Sequence, residues 1–385
     1  MTALALLLGA LLQVPAPPAD SVEVGLGAYV TPVYRGHYGV GVGGGVAVRD
    51  PAGAGSRAAL DLRLLTHAQG ARLAVRTGDP LRARVYGTAV AEASTTDRRL
   101  FVGLGPAGLT SGDLFLSHDG ATFELGLGVY PFSTTALRVR PALAVRYDRS
   151  GGAAAGDVGT EALDAASRAA VDVAEGDRTG VSLALAVSTD LRDRAHTPRS
   201  GTFAVVEARR FVGLGGSDLR FNRLGGEAVL YVPLGGRAAG VVRGVGAITR
   251  ADGGGPLPFY DLPVLDDRLA TPFGRDRLTG SDVVAGGAGV RVPVFDAFGL
   301  YGLDALVMGY VGNAYRDVFD EFEPSVSFSA DLAADARAPL RPALALGLSV
   351  VDLARERVVV GGALGLTPDG VTAASVRLTV GRAGW

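Results

Sequence analysis

The side chains that most often carry chemistry are few and scattered in this sequence. The four histidines are His37, His67, His118 and His196, and none stands at i, i+4 with a glutamate as zinc hydrolases require. The absence of cysteine excludes disulfides, thiolate metal sites and cysteine nucleophiles. The pair His118 and Asp119 could serve a protease or lipase, but no serine–histidine–acid set can be read from the sequence. We therefore expect the histidines to lie in loops and to be solvated.

Two further motifs are weak signs of ligand binding. Residues 103–108 fit the pattern G-x-G-x-x-G, but Pro106 and the residues after it do not open a helix, so the usual phosphate site at a helix N-terminus lacks its context. Asp261, Asp266 and Asp267 offer oxygen ligands of the kind that Ca²⁺ takes, although a solvated acidic loop is the simpler interpretation. We predict no catalytic residue, no cofactor and no metal, and we do not expect an enzyme.

The composition favours β-structure and argues against nucleic-acid binding. The 385 residues are 48% hydrophobic and 20% charged, with a formal net charge of -2. A nucleic-acid-binding protein would carry a basic domain or stripe. Glycine, with 57 residues, is about twice as frequent as its usual ~7%, and it suits turns and strands better than helices.

Residues 1–19 have the features of a secretory signal peptide. Residues 1–13 form an apolar run that is too short for a spanning helix of ~20 residues. Small residues follow it up to Ala19, where we place the cleavage. The usual Lys or Arg before the run is missing, and a buried N-terminal helix is the alternative interpretation. No later segment has the ~18 consecutive apolar residues of a spanning helix.

Beyond Asp20 the sequence alternates with the period of a β-strand. In residues 137–148 one set of alternate positions is mostly apolar, and the other holds arginine, alanine and aspartate. Alternate side chains of a strand point to opposite faces. A soluble sandwich would show the same alternation, but here segments of ~10 residues recur along nearly the whole chain and no helical layer covers the apolar face. We therefore predict an all-β fold, a closed antiparallel transmembrane β-barrel of about 16 strands over residues 20–385.

Seventeen segments qualify as strands, one more than an even-stranded bacterial barrel allows, and the surplus should lie after residue 320. They are 22–33, 38–49, 57–68, 71–78, 82–94, 121–131, 136–148, 180–190, 201–212, 220–233, 237–250, 282–294, 299–312, 324–333, 341–351, 356–366 and 371–382.

The connections between these segments predict a topology. Long connections fall at 95–120, 149–179, 251–281 and 313–323, each after an odd-numbered strand. They lie outside the cell if the first strand starts in the periplasm, as in outer-membrane barrels. Residues 161–175 contain good helix formers and predict a short helix over the barrel mouth.

Two motifs and the chain end stand out from this pattern. The first motif should form a tight turn, because proline and glycine favour turns and neighbouring Asp and Arg side chains can pair. Its positions are Asp190, Arg192, Asp193, Pro198 and Gly201. The second motif reads PFYDLPVL over residues 258–265 and contains Phe259, Tyr260, Leu262 and Pro263. The chain ends on the aromatic Trp385.

These features resemble the BamA/TamA family of outer-membrane barrels (the bacterial surface antigen superfamily). The first motif is similar to that family's D-x-R-D…P-x-x-G periplasmic turn. The second is similar to the approach to its long sixth extracellular loop, which folds back into the lumen. The terminal tryptophan is similar to the aromatic end of the last strand. The resemblance thus implies a barrel with a long loop inside its lumen.

The resemblance is incomplete at the tip of that loop. The family's tip reads (L/V)-R-G-(F/Y), and its Arg reaches an acidic residue on the inner wall. This chain has Phe273, Arg275 and Arg277 there, and either arginine could substitute. Nothing in the sequence resembles the periplasmic modules of full-length members, so the resemblance implies a member that consists of the barrel alone.

The resemblance implies a role in the insertion or export of proteins or lipids at the outer membrane of a Gram-negative-type bacterium. Partners would be outer-membrane lipid, unfolded outer-membrane protein clients and periplasmic accessory subunits, and no nucleic acid. The mechanism would use a weak seam between the first and last strands. The alternative is a passive or structural pore, biased toward anions by Arg138, Arg140 and Arg146. A lipase or protease built on a barrel ranks third.

Overall fold

A computed structural model describes residues 25–378, apart from 35–37, 52–54, 79–83, 106–112, 132–136, 155–158, 195–196, 266–271, 274–277, 330–336, 354–356 and 369. The described residues form seventeen strands and two α-helices. The strands are β1 Gly25–Tyr34, β2 Val40–Arg49, β3 Arg57–Leu65, β4 Ala68–Arg76, β5 Val85–Phe101, β6 Leu114–Val129, β7 Leu137–Ala154, β8 Gly176–Asp190, β9 Gly201–Leu214, β10 Arg220–Gly235, β11 Ala238–Ala251, β12 Asp282–Ala297, β13 Tyr301–Tyr315, β14 Phe322–Val326, β15 Ala338–Asp352, β16 Arg357–Thr367 and β17 Gly370–Leu378. The helices are α1 Ala165–Asp172 and α2 Val318–Glu321.

One antiparallel ladder runs through the sheet in chain order. Each strand from β1 to β12 pairs with the next, β13 pairs with β15, and β15 pairs with β16, which pairs with β17. The short strand β14 lies outside this ladder and pairs in parallel with β15. The predicted strand 324–333 therefore corresponds to a short side strand, in the region where we expected the surplus.

The two ends of the ladder lie beside each other. Cα atoms of β1 and β17 come within 8 Å. Within the described residues, β1 pairs along its length with β2, β17 pairs with β16, and no backbone ladder joins β1 to β17. The sheet thus curls until its first and last strands are neighbours.

The sheet presents apolar side chains on the face that no other part of the described chain covers. On β7, Leu143 and Val145 are 49% and 48% exposed, whereas Ala142 and Ala144 between them are 4% and 3% exposed. This agrees with the alternation seen in residues 137–148. The buried positions lie on the concave, inner face, so the exposed apolar set faces outward, opposite to the arrangement in a soluble protein.

The inner face carries two apolar clusters. One is made by residues of β5, β6, β9 and β10, helix α1 and the connection between β11 and β12. The other lies on β10–β13 and β15 with Leu265, Phe273 and Leu278 of the same connection. Neither α-helix of the described residues has the length and apolarity that a membrane-spanning helix needs.

Strands β5 to β8 are longer than predicted. Residues 95–101 and 114–120 belong to β5 and β6, although we assigned 95–120 to a loop, and β7 continues to Ala154. Polar residues such as Asp97 and His118 made these segments look like loops. A ladder can include polar residues, because the neighbouring strand supplies the backbone hydrogen bonds whatever the side chain. Bulges between Thr96 and Arg99 and between Leu116 and His118 also interrupt the alternation.

The predicted helix in 161–175 is confirmed over Ala165–Asp172. It begins at Asp164, whose carboxylate accepts a hydrogen bond from the backbone N–H of Ser167 at 2.7 Å, the usual arrangement at a helix start. Ala170 and Val171 on one face of the helix are buried in the first apolar cluster. The helix therefore packs against the interior of the sheet.

Candidate functional site inside the sheet

The connection between β11 and β12 (residues 252–281, here called the long loop) turns into the interior of the sheet. Phe259, Tyr260 and Asp261 form one turn of 3-10 helix and are buried. Further on, Val264 forms an antiparallel bridge with Thr279, and the Leu265 N–H donates to the carbonyl of Leu278 at 3.0 Å. The described residues of the long loop thus fill space beside the inner wall.

Two arginines of the wall bind Asp261 from different strands. Arg146 on β7 forms an ion pair with its carboxylate, and Arg223 on β10 donates to its carbonyl oxygen. Arg223 is oriented by a second hydrogen bond, to the hydroxyl of Thr249 at 3.2 Å. Because Asp261 is only 2% exposed, these arginines replace the water that would otherwise solvate its charge.

Arg146 also links the long loop to a second carboxylate on its own strand. Its Nε lies 2.6 Å from Oδ2 of Asp148, and its Nη2 donates to Oδ1 at 2.8 Å. The guanidinium lies over the ring of Tyr260, 5.3 Å from the ring centre, which is within cation–π range. One arginine therefore joins two acidic groups and one aromatic ring, and we call Arg146, Asp148, Arg223 and Asp261 the loop anchor.

His118 on β6 completes the surroundings of the loop anchor. Its Nε2 lies 3.2 Å from Oδ1 of Asp148, and its Nδ1 lies 3.4 Å from Nη1 of Arg99. Its ring packs against Tyr260 with centres 4.7 Å apart. The expectation of a solvated loop histidine was wrong, because residue 118 lies in a strand whose inner face the long loop covers.

These contacts assign a hydrogen-bonding role to each ring nitrogen of His118. An arginine can only donate, so Nδ1 of His118 accepts and Nε2 donates to Asp148. With both ring nitrogens engaged, neither is placed to take a proton from a serine. The nearby Ser150 donates its hydroxyl to the carbonyl of Ser117 at 2.9 Å. Among the described residues we find no set of three or more metal-ligating side chains.

Apolar contacts support the ionic ones. Phe259 packs against Phe101 with ring centres 5.5 Å apart, and the guanidinium of Arg99 lies 5.5 Å from the centre of the Phe259 ring. Leu262 joins the same cluster, which includes residues of helix α1. Burial of this cluster gives the long loop a second, non-ionic attachment to the wall.

The other long connections join the long loop at one end of the sheet. The Gly105 N–H donates to the carbonyl of Thr279, and the Leu104 N–H donates to the hydroxyl of Ser167 in helix α1, both at 2.8 Å. Asp164 at the start of α1 pairs with Arg316 after β13. Residues from four connections therefore form one cover over this end of the interior.

The inward-facing arginines proposed for a pore have partners. Arg140 lies 2.9 Å from Glu124 and 3.7 Å from Glu207, Arg209 lies 3.0 Å from Glu207, and Arg146 belongs to the loop anchor. Arg138 donates to the hydroxyls of Ser188 and Tyr86 at 3.1 Å each. The charges of Arg140 and Arg146 are thus compensated by carboxylates on the same wall.

The turn motif lies at the other end, between β8 and β9. Arg192 binds Asp190 through two hydrogen bonds of 2.8 and 2.7 Å. Asp193 accepts from the backbone N–H groups of Arg199 and Ser200 at 2.8 and 3.2 Å. Burial alone would raise the pKa of Asp193, but these hydrogen bonds outweigh it and hold the pKa below its usual value.

Glycine and proline of this motif have distinct roles. Gly201 has a φ of +98°, and a Cβ there would clash with the carbonyl of Leu191. The carbonyl of Pro198 accepts from Arg291 on the inner face of β12. The turn therefore reaches inward toward strands that are not its neighbours in the sheet.

The motif residues form two groups at opposite ends of the interior. Asp190, Arg192, Asp193, Pro198 and Gly201 form the turn, and Phe259, Tyr260, Leu262 and Pro263 lie in the long loop, where the carbonyl of Pro263 accepts from the Gly280 N–H at 3.3 Å. Phe273 is buried in the second apolar cluster. Arg275, Arg277 and Trp385, and the acidic pair Asp266 and Asp267, lie outside the described residues.

Comparison with known proteins agrees with this architecture. Residues 115–265 match the Omp85 superfamily domain. The structure of BamA from Haemophilus ducreyi lacking POTRA domains 1–3 superposes with a TM-score of 0.62 at 13% sequence identity, covering 97% of this chain and 77% of that one. For CdiB from Escherichia coli the TM-score is 0.58 at 12% identity, and the superposition covers 94% of this chain and 63% of that one. For CdiB from Acinetobacter baumannii the TM-score is 0.51 at 11% identity, with 93% of this chain and 60% of that one covered.

This chain therefore spans less than two thirds of the CdiB chains. At these identities the superpositions establish a shared fold, and no curated protein sequence matches the chain. The domain match over residues 115–265 and the shared fold support an Omp85-family β-barrel, in agreement with the resemblance seen in the sequence.

Proposed function

We propose that the chain is an integral outer-membrane protein that assists the insertion or export of proteins or lipids at that membrane. The observation that carries the proposal is the meeting of β1 and β17 without a backbone ladder between them in the described residues. Unpaired backbone N–H and C=O groups cost several kcal/mol each in hydrocarbon. An edge of this kind pairs readily with an incoming extended segment.

The proposed barrel consists of sixteen strands, which are all of the seventeen except β14. Contact between β1 and β17 closes it. An even number places both chain ends of the barrel on one side of the membrane. The long connections follow β5, β7, β11 and β13, so they share one side, which we assign to the cell exterior. The signal peptide over residues 1–19 stays a prediction.

Small residues lie beside the proposed seam. Strand β2 contains the run Gly43–Gly45, and glycine weakens a strand because it has no side chain to pack. The seam side is therefore the part of the wall that opens at the lowest cost.

A passive or structural pore has less support. An anion-biased channel needs unpaired arginines along an open lumen, whereas Arg140 and Arg146 are paired and the long loop occupies the interior. Recordings in planar lipid bilayers should show no large, stable, anion-selective conductance for the intact protein. A large, stable conductance of this kind would favour the pore.

Site-specific crosslinking tests the proposed function. A photo-crosslinking residue at Val30 on β1, an exposed position beside the seam, should give adducts with unfolded outer-membrane clients during assembly. The same residue at Leu185 on β8, equally outward but far from the seam, is the matched control. Equal adducts at both positions, or none above background at Val30, would contradict the proposal. Adducts with periplasmic subunits would identify the accessory partners that the resemblance implies.

A further inference from the structure

The inner faces of β2, β3 and β4 carry an excess of positive charge. Arg72 on β4 stands in one cross-strand row with Arg146 on β7, so it shares the inner face with the loop anchor. Among the described residues, the register of the three strands places five arginines and one carboxylate, that of Asp61, on this face. We call the five arginines the basic wall, and they are Arg49, Arg57, Arg63, Arg72 and Arg76. Further along the sheet, in contrast, glutamates pair with the inner arginines of β7 and β9.

Three arginines of the basic wall stand directly opposite one another. Arg57 at the start of β3 is in register with Arg49 at the end of β2 and with Arg76 at the end of β4. Like charges in such positions destabilise a sheet. The acidic side chain of the neighbouring turn, Asp50, accepts hydrogen bonds from two backbone N–H groups of that turn at 2.8 and 3.2 Å. Because the row costs stability, it indicates a function in binding anions at the periplasmic end.

The interior beside the basic wall is accessible. The long loop packs on β5–β7, β9–β13 and β15. Arg72 and Glu92 form a loose pair of 3.9 Å and are 48% and 47% exposed, whereas Arg146 in the same row is 23% exposed. The cover formed by the long connections lies over the exterior end. A ligand therefore reaches the basic wall from the periplasmic end.

The length of the basic wall favours an extended polypeptide as this ligand. Arg57 and Arg63 are six residues apart on β3, which corresponds to about 20 Å along the strand. A single lipid phosphate would contact only one level of the wall, and an acyl chain gains nothing from a charged, water-accessible face. An extended segment of about six residues spans the wall, and its alternate side chains repeat every ~7 Å as the positions on a strand do.

We propose that the basic wall binds acidic side chains of an extended client segment and holds that segment beside the seam. Strand β2 pairs with β1, so the wall begins one strand away from the edge that the client would join. The inference rests on the proposed function and names its substrate class, which is polypeptide with acidic residues in an extended stretch.

Peptide binding to the full chain in lipid nanodiscs tests the basic wall. The probe is a fluorescent peptide of alternating aspartate and serine, with about eight residues so that it spans the wall. Anisotropy at low salt should show binding of this peptide and no binding of the matching lysine–serine peptide. R63Q and R72Q together should weaken binding about tenfold, equivalent to about 1.4 kcal/mol. The matched control is R149Q, which should bind as wild type does, because Arg149 is an exposed arginine of the outer face.

Charge reversal separates lost binding from a damaged fold. R63E and R72E together should bind the lysine–serine peptide in preference to the acidic one. Equal affinity in wild type and the R63Q, R72Q variant, equal loss in that variant and R149Q, or equal binding of both peptides would overturn the inference. Displacement of the acidic peptide by an equal concentration of glycerol phosphate would overturn it in favour of a lipid phosphate.

Crosslinking at Val30 distinguishes this inference from the proposed function. Normal client adducts at Val30 without peptide binding to the wall would refute only the basic wall as a client site. Peptide binding to the wall without client adducts at Val30 would refute the proposed function and leave the charge preference of the wall intact.

Discussion

Arg146 on β7 and Asp261 in the long loop form a buried ion pair between residues 115 positions apart in the sequence. In the BamA/TamA pattern that the sequence resembles, a loop arginine meets an acidic residue of the wall. Here the described contact has the opposite polarity, with the acidic group on the loop and the cation on the wall. Arg223 strengthens it through the carbonyl of the same residue.

The first prediction concerns the carboxylate of this pair. D261N removes the charge and leaves Arg146 with only Asp148 in a buried site, so we expect a loss of about 3 kcal/mol in the free energy of unfolding. The loosened loop should also produce transient conductance in planar bilayers. The control is D252N in the same loop, because Asp252 pairs with Arg210 in an exposed position and should matter little. Equal stability of both variants would show that the anchor does not hold the loop.

The second prediction separates inner from outer apolar residues. L262A removes a leucine from the buried cluster of the long loop, and we expect a loss of about 2–5 kcal/mol in urea unfolding. L183A removes the same side chain from the outer face, where Leu183 is exposed and lipid or detergent can fill the space. We expect L183A to lower the free energy of unfolding much less than L262A does. A larger effect at residue 183 would contradict the assignment of the two faces.

The third prediction concerns the turn between β8 and β9. G201A forces a Cβ against the carbonyl of Leu191 in a backbone with positive φ. We therefore expect the free energy of unfolding to fall by about 2–3 kcal/mol. Gly176 also has positive φ, but nothing lies within 4 Å of a Cβ there, so G176A should cost only about 1 kcal/mol. Thermal unfolding in detergent measures both, and equal costs would contradict the close packing at residue 201.

The fourth prediction is a pH dependence of this turn. The pKa of Asp193 is lower in the folded protein than its ordinary value near 3.8, because the Arg199 and Ser200 N–H groups outweigh the effect of burial. Its contribution to stability is therefore fully present above the ordinary value and is lost as the pH falls through the lowered pKa. The amide resonances of residues 199 and 200 should titrate below pH 3.8. D193N should remove this titration, and a midpoint above that value would contradict the hydrogen bonds.

The sequence alone was sufficient for the all-β architecture and for the two faces. In residues 137–148 charged arginine alternates with apolar leucine and valine. This alternation of polarity at every second residue follows directly from strand geometry, because successive side chains point to opposite faces. The turn at Gly201 was also predictable, since proline and glycine have local conformational requirements. Predictions of this kind succeed because they depend on neighbours in the chain.

The loop anchor could not be predicted from the sequence, because its contacts depend on the path of the long loop. Asp261 was interpreted as a solvated or cation-binding residue, and nothing local shows that Arg146 and Arg223 lie beside it. The alternate spacing of Arg146 and Asp148 on one face of β7 was the available sign of an inward polar site. His118 was misjudged for the same reason, since its burial comes from Tyr260 of the long loop.

Spin labels test the central claim, that the apolar face meets lipid while the long loop and the paired charges lie inside. The chain has no cysteine, so single cysteines can be labelled at Leu143 and Val145 on the outer face and at Arg140 and Glu207 on the inner face. In reconstituted bilayers, labels at the outer positions should be accessible to oxygen dissolved in lipid and shielded from a water-soluble nickel complex, and the inner labels should not show this lipid signature. Equal access of all four labels to the water-soluble reagent, or a lipid signature at residues 140 and 207, would contradict the account.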